Sequence, residues 1–329
     1  MQTRRLGASD LELTPVVFGA WGIGGLMWGG SDQAQAVDAI RAALDAGINA
    51  VDTAASYGPG TSEELVGRAL RGRRAGVIVA TKCGLRWDEP VGATRLETVG
   101  LDGRTQRLYH DLRPASVRAE CEGSLRRLGV ETIDLYQIHR PDPVHGFEDA
   151  LAEMLKLRGE GKIRWIGVSN FSLEQTDRAR ETAGIVSIQP SYSLLDRAIE
   201  RDLLPWCRRA GVGVIAYSPL ARGLLSGQVR PETTYPPTDH RSTLPLFAPE
   251  SRRRVLAGLE QVRPIAEAHG VSLANLAVAW AIGEPGITAA LVGARTPAQA
   301  AENARAADVR LGDDERRAIA QAFEAAAER

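Results

Sequence analysis

Residues 133–169, IDLYQIHRPDPVHGFEDALAEMLKLRGEGKIRWIGVS, hold one full turn of the pattern that decides the fold. An apolar run, Ile133–His139, is followed by an amphipathic stretch, Phe147–Gly159, and then by a second apolar run, Trp165–Ser169. Short apolar runs of this kind suit strands buried on both faces, and the segment between them has helical spacing. The pattern continues outward in both directions. Val16-Val17-Phe18-Gly19 precedes Gln33–Ala46, Ala50–Ala54 precedes Ser62–Leu70, and Val77–Lys82 precedes Pro114–Leu128. Beyond the opening stretch come Leu173–Thr182, Ser187–Gln189 with Ile199–Arg209, and Val212–Ser218. A helical pair, Arg253–His269 and Ser272–Ile282, then leads to Ala290–Gly293 and Pro297–Ala306. Eight strand–helix units in a 329-residue chain predict an α/β fold, a closed (β/α)8 TIM barrel. A doubly wound open sheet shares the alternation, and the count and length favour closure. Thr3–Leu6 and Leu11–Thr14 predict an N-terminal β-hairpin, and the Ala/Glu-rich segment Asp313–Arg329 a C-terminal surface helix. With no repeat, linker or composition break, residues 1–329 read as a single barrel domain.

Local punctuation agrees with these boundaries. Ser31-Asp32 and Gly47 bracket the first helix, and Pro114 and Gly129 the third. Two connections, Gly84–Arg113 and Leu220–Ala248, are about 30 residues long against a usual ~4–6. Both follow strands, which places them on the face where barrels keep their active sites, as candidate pocket walls.

Composition excludes several classes. Lys and Arg number 40 against 41 Asp and Glu, for a net charge of −1, and no long basic run suggests a nucleic-acid surface. Arg71, Arg73 and Arg74, and Arg252 to Arg254, read as solvated charge. Three scattered cysteines (Cys83, Cys121, Cys207) argue against a disulfide scaffold and for a reducing compartment. The N-terminal MQTRRLGASDLELT has no apolar core of a signal peptide, and no stretch of about 18 apolar residues could span a bilayer. A cytoplasmic protein with no membrane anchor is expected, and a monomer. The five histidines are isolated, so no metal is expected, and a glycosidase would need a second strand-end carboxylate beside Asp52.

Polar residues interrupt the strand ends in a telling way. Asp52, Lys82 and His139 each close an apolar run, so they converge on one end of the barrel, and Tyr57 lies in the loop just beyond Asp52. A tyrosine, with an ordinary pKa of about 10, is a weak acid alone. A lysine ammonium beside it favours the phenolate and is expected to lower that value, while Asp52 holds the ammonium. His139 can orient a carbonyl oxygen. The set suits protonation of an oxygen as hydride reaches carbon.

DTAASYG, VIVATKC, DLYQIHRPDP, GKIRWIGVSNF, IQPSYSLLDR and AYSPLARGLLSG resemble, in order, the motifs of the aldo-keto reductase superfamily. GAWGIGGLMWGGSD looks most like bacterial members of the general-stress-protein 69 type. The resemblance implies reversible, NAD(P)H-dependent carbonyl reduction, with Tyr57 as general acid, Lys82 and Asp52 tuning it, and His139 orienting the substrate. It implies that Ser169, Asn170 and Gln189 hold the nicotinamide carboxamide, that Tyr217 stacks on the ring, and that Ser218, Leu220 and Arg222 form the pyrophosphate turn. Gly293, Arg295, Thr296, Gln299, Glu302 and Asn303 align with positions contacting adenine and the 2′-phosphate. Many relatives have Lys-Ser and an arginine where this chain has Gly293-Ala294 and Gln299, so Arg295 is left as the cation for that phosphate. NADPH is expected as cofactor, with NAD the alternative.

The residues themselves add detail. Gly22, Gly24, Gly25, Gly29 and Gly30 do not fit a Rossmann fingerprint, whereas Pro297 opens a helix whose free N–H groups suit a phosphate. Trp21, Trp28, Tyr57 and Trp87 are expected to form an aromatic wall, and Arg140 to pair with Asp142. The absence of a long C-terminal loop predicts an open site and broad aldehyde specificity. The competing reading is a regulatory, NADPH-binding docking protein like the potassium-channel β-subunits, some of which carry an N-terminal extension that this chain lacks.

Overall fold

The chain was analysed as a computed structural model, which describes residues 1–100 and 102–327. Eight parallel strands close a barrel in sequence order: β1 (Val16–Gly19), β2 (Ala50–Asp52), β3 (Ile78–Cys83), β4 (Ile133–Ile138), β5 (Ile163–Ser169), β6 (Ser187–Gln189), β7 (Gly213–Tyr217) and β8 (Ile287–Val292). The surrounding helices are α1 (Gln33–Asp45), α2 (Thr61–Leu70), α3 (Pro114–Leu128), α4 (Glu148–Gly159), α5 (Leu173–Ala183), α6 (Leu203–Ala210), α7 (Pro249–Ala268), α8 (Leu273–Ile282) and α9 (Pro297–Arg305). Where a start signal is strong the helix obeys it. Asp32 caps α1 by accepting from Ala34 N and Gln35 N, Pro114 occupies the first turn of α3, and Ser172 with Gln175 closes a capping box on α5.

The hairpin forms between Arg4–Arg5 and Glu12–Leu13, and it closes the amino end of the barrel. Leu6, Leu11 and Leu13 share one buried cluster with Val17, Ala50, Ala80, Leu135, Ile215 and Ala289. Small side chains in the strands make room for the leucines. A Cβ on Gly213 would lie 2.5 Å from Leu6 Cδ1, and one on Gly7, where φ is +54°, would lie 2.2 Å from Val186 O. Each leucine that leaves water here contributes about 1.5–3 kcal/mol.

Three expectations change. The Gly84–Arg113 connection contains an antiparallel ribbon of Leu85–Arg86, Thr94–Val99 and Thr105–His110 rather than open loop; Leu101 lies outside the described residues. The C-terminal segment is not simply a surface helix. Helix α10 (Asp313–Ala322) ends at Phe323, and both Ile319 and Phe323 are fully buried, the latter beside Gly258 of α7. Glu328 and Arg329, the end of that predicted segment, lie outside the described residues. Arg252 is not solvated charge either. It is buried, and its Nη1 donates to Arg230 O at 3.1 Å and Pro231 O at 3.0 Å. Arg73 and Arg74 pair with Asp45 and Asp134. Among the described residues no single helix is long and apolar enough to cross a membrane.

Candidate active site

Side chains two apart on a strand share a face, so the barrel interior is read as layers. Above Ala50, Ala80 and Leu135 in the apolar floor come Asp52, Lys82 and Gln137, and His139 follows β4. Lys82 is fully buried. Its Nζ pairs with Asp52 Oδ1, donates to Thr53 O at 2.9 Å and donates to Tyr57 Oη at 3.2 Å. Asp52 Oδ2 accepts from Gln137 Nε2 at 3.0 Å and from Gln189 Nε2 at 2.9 Å. A buried ion pair is stable only when its remaining lone pairs and protons are satisfied, and here they are. An ammonium has three protons and no acceptor. All three are engaged, and Tyr57 Oη receives one of them, so the phenolic proton is free to point away from the lysine.

Tyr57 is held from behind. At Gly58, φ is +62° and a Cβ would lie 2.0 Å from Gly24 O, so glycine is required for the two loops to meet. The His139 ring meets the Tyr57 ring edge-on at 5.5 Å, and its Nδ1 lies 3.4 Å from Ser56 Oγ. The electrostatics depart from one expectation. Burial pushes the Tyr57 phenol above its ordinary value, and the opposing charge of Lys82 does not overcome it. Burial pulls Lys82 down, but Asp52 and Tyr57 outweigh it and the ammonium is held above the usual lysine value. Burial, Lys82 and Arg140 hold His139 well below the usual histidine range. At neutral pH the site therefore contains a neutral phenol, a neutral imidazole and a locked ammonium–carboxylate pair.

The candidate carboxamide groups adjoin this cluster at the ends of β5 and β6. Ser169 Oγ donates to Gln189 O at 2.8 Å. Asn170, at φ +61°, donates from Nδ2 to His139 O at 3.0 Å and to Ser169 Oγ at 2.9 Å, and its Oδ1 accepts from Tyr217 Oη at 2.8 Å. Beyond β7, Ser218 and Arg222 both have φ +58°, and Leu220 O accepts from Gly223 N at 2.9 Å. Left-handed backbone at non-glycine residues is concentrated at ligand sites. Arg222 Nε is buried with no hydrogen-bond partner, which fits an anion being present in the working state. After β8, Thr296 caps α9, Gln299 Oε1 accepts from Arg295 N at 2.8 Å, and Asn303 Nδ2 donates to Gly293 O at 3.0 Å. Glu302 accepts from Asn275 Nδ2 at 2.8 Å and from Arg305. These residues thus fit a dinucleotide: amide and hydroxyl groups at one end, an orphaned guanidinium beside the β7 turn, and a capped helix N-terminus at the other.

Other candidates sit differently from expectation. Arg295 does not present a free guanidinium, since its Nη2 donates to Trp28 O at 2.6 Å and Gly30 O at 2.8 Å. Arg140 makes no ion pair with Asp142, whose Oδ2 is taken by His145 Nδ1 at 2.9 Å and Leu112 N at 3.2 Å. Trp21 and Trp28 do meet, edge-on at 5.1 Å, and Trp21 lies 6.2 Å from Tyr57. Trp87 does not join them. It lies under the Arg127 guanidinium, 5.6 Å from its ring centroid. The place expected for it is filled by His240, 5.1 Å from Trp21 and 4.8 Å from Trp28, with Nδ1 2.5 Å from Met27 O. The connection after β7 is thereby fastened to the one after β1.

Sequence reasoning missed Gln137, Ser56 and His240. Gln137 left a usable signal, an amide inside an apolar strand on the same face as His139. His240 left none, because its partners are distant in the chain.

Residues 15–324 match the model of the aldo/keto reductase family. Aldo-keto reductase YhdN of Bacillus subtilis is 39% identical over 302 residues, covering 91% of this chain and 86% of that protein. An Escherichia coli protein named NADH-specific methylglyoxal reductase is 36% identical, covering 94% of each chain. Among solved structures, the glycerol dehydrogenase AKR11B4 from Gluconobacter oxydans superposes with a TM-score of 0.86 at 42% identity, covering 98% of this chain and 95% of the other.

Proposed function

The chain belongs to the aldo/keto reductase family, and on that premise we propose that Tyr57, Lys82, Asp52 and His139 reduce small aldehydes and ketones to alcohols. NAD(P)H, when bound, supplies the hydride. The observation that carries the assignment is the engagement of all three Lys82 protons. It leaves Tyr57 as the proton donor to the carbonyl oxygen and stabilises the phenolate that donation creates. His139 donates from Nε2 to the same oxygen in the tautomer for which Ser56 donates to Nδ1. Its depressed pKa keeps it from competing as a cation for the Asp52 carboxylate.

Ser169, Asn170 and Gln189 would hold the carboxamide, with Tyr217 against the ring. The Nε2 of Gln189 is committed to Asp52, which turns its amide oxygen towards a donor such as a carboxamide NH2. The cofactor preference we propose is weak, with NADPH ahead of NADH. Arg295 is the cation available to a 2′-phosphate, but it must first release Trp28 O and Gly30 O. The name of the Escherichia coli relative shows that NADH use occurs at this level of identity. Broad aldehyde specificity follows from a wall built by the two long connections. A monomer is sufficient, since every group named comes from one chain, and the buried, unpaired cysteines suit a reducing cytoplasm. The first-loop glycines keep the chain with the general-stress-protein 69 type. No feature of the site favours the docking alternative.

The test is NAD(P)H oxidation with 4-nitrobenzaldehyde or methylglyoxal. Tyr57→Phe should lower kcat by about 10²–10⁴-fold while cofactor affinity persists; full activity in this variant would end the assignment. For the cofactor, Arg295→Ala should erase the difference in kcat/KM between NADPH and NADH. An intact preference would show that another group reads the phosphate.

A further inference from the structure

Beside the tetrad, two arginines have no ion-pair partner among the described residues. Arg140 directly follows His139. Arg95 lies at the register irregularity between Thr94 and Leu96 in the outer ribbon, and a bulge of this kind re-aims the side chain it carries. Other arginines of the same connection are paired: Arg86 with Asp88, Arg107 with Glu97 and Arg113 with Asp111. No ion pair or side-chain hydrogen bond is formed by Arg95 or Arg140 with the described residues. Asp142, two residues beyond Arg140, is already engaged by Leu112 N, Val144 N, His145 N and His145 Nδ1.

Arg140 is close enough to burden Arg95 and the histidines around it. Arg95 is exposed on the ribbon, yet partial burial and then Arg140 hold it below its ordinary value, and each arginine depresses His139. Burial lowers His110 against the pull of Asp142, and both arginines add to that lowering. It is 8% exposed, and its buried Nδ1 has no hydrogen-bond partner. Like charges gathered beside an orphaned buried donor or acceptor cost stability, and such a cost persists where a ligand removes it.

We propose that Arg95 and Arg140, with His110 beside them, bind an anionic group on the substrate. The preferred substrate is then a short aldehyde or ketone bearing a carboxylate or a phosphate. The site borders the dinucleotide candidates, since Arg140 acts on Arg222 and Tyr217 on Arg95, but it shares no residue with them. Arg95 and Arg140 follow β3 and β4, whereas the carboxamide and phosphate candidates follow β5 to β8. Guanidinium groups take carboxylate and phosphate oxygens in bidentate pairs, so two of them fix orientation as well as charge. This inference rests on the reductase reading and sharpens its substrate.

Two matched pairs test it: 4-carboxybenzaldehyde against methyl 4-formylbenzoate, and glyceraldehyde 3-phosphate against glyceraldehyde. The wild type should show kcat/KM higher for the anion by about tenfold or more in at least one pair, mainly through KM and diminishing with added salt. The pair that responds identifies carboxylate or phosphate as the recognised group. In Arg95→Gln and Arg140→Gln the ratio should collapse towards one, while Arg107→Gln, a paired arginine on the same ribbon, should leave it in place. Equal kcat/KM within both pairs, or a preference that survives the double variant, overturns the proposal while turnover of the neutral aldehydes leaves the reductase reading standing. No turnover of any of the four would overturn both.

Discussion

The two halves of the barrel mouth are built on different terms. Under β2 to β4, every proton of Lys82 and both oxygens of Asp52 already have the partners that the chemistry needs. Under β5 to β8, groups suited to a dinucleotide hold one another instead: Tyr217 holds Asn170, and Arg295 holds the carbonyls of Trp28 and Gly30. The reacting half is preorganised, and the binding half must exchange partners. Reorganisation during the chemical step would slow every turnover, whereas reorganisation on binding is offset by the new contacts.

The sharpest way to break the contrast is to strand the lysine. Asp52→Ala leaves a buried ammonium uncompensated and should cost about 3–5 kcal/mol in urea unfolding. The double change Asp52→Leu, Lys82→Met should recover much of that stability with no activity. If the single variant unfolds at the wild-type midpoint, the preorganised half is not as buried as described.

A second measurement concerns Glu120, on α3 behind β3. Burial pushes its carboxyl up to about 8; its Oε1 accepts from Gly84 N at 3.0 Å, and its Oε2 has no partner. The folded protein keeps a proton that the unfolded chain releases near its ordinary 4.5. Stability from this group is complete below that value and declines as pH rises to about 8. Glu120→Gln should flatten this slope and stabilise the protein at pH 8 by on the order of 1–4 kcal/mol. Parallel wild-type and variant stability profiles between pH 5 and 9 would contradict it.

The smallest effect belongs to the exchanging half. Tyr217→Phe removes the bond to Asn170 Oδ1 and frees an acceptor for the incoming amide. Cofactor binding, followed by fluorescence titration, should tighten by about two- to tenfold. Weaker binding would mean that the hydroxyl serves the ligand rather than Asn170.

The halves also differ in how far the sequence disclosed them. That Asp52, Tyr57, Lys82 and His139 meet was legible because, although one polar strand end alone suggests a structural pair, three such ends on neighbouring strands must converge. Helix α3 was legible at both ends because Pro114 and Gly129 carry opposite backbone constraints. The role of Arg295 was hidden, since its partners are backbone carbonyls in a loop more than two hundred residues away, and carbonyls leave no trace in residue type. The ribbon was hidden for a related reason. Thr94–Val99 is largely exposed and polar, so pairing rather than burial makes it a strand. Arg252 shows a third limit. Successive residues turn by about 100° around a helix, so three arginines in a row cannot all face water when one face packs on the core.

The leucine stopper at the amino end has a kinetic meaning. With Leu6, Leu11 and Leu13 sealing the amino end and the interior packed above them, ligands reach Tyr57 and Lys82 only from the carboxyl end. Two ligands that share that one mouth are expected to bind in order, and product inhibition checks it: the product that leaves last should compete with the ligand that binds first, and the other pairings should be mixed.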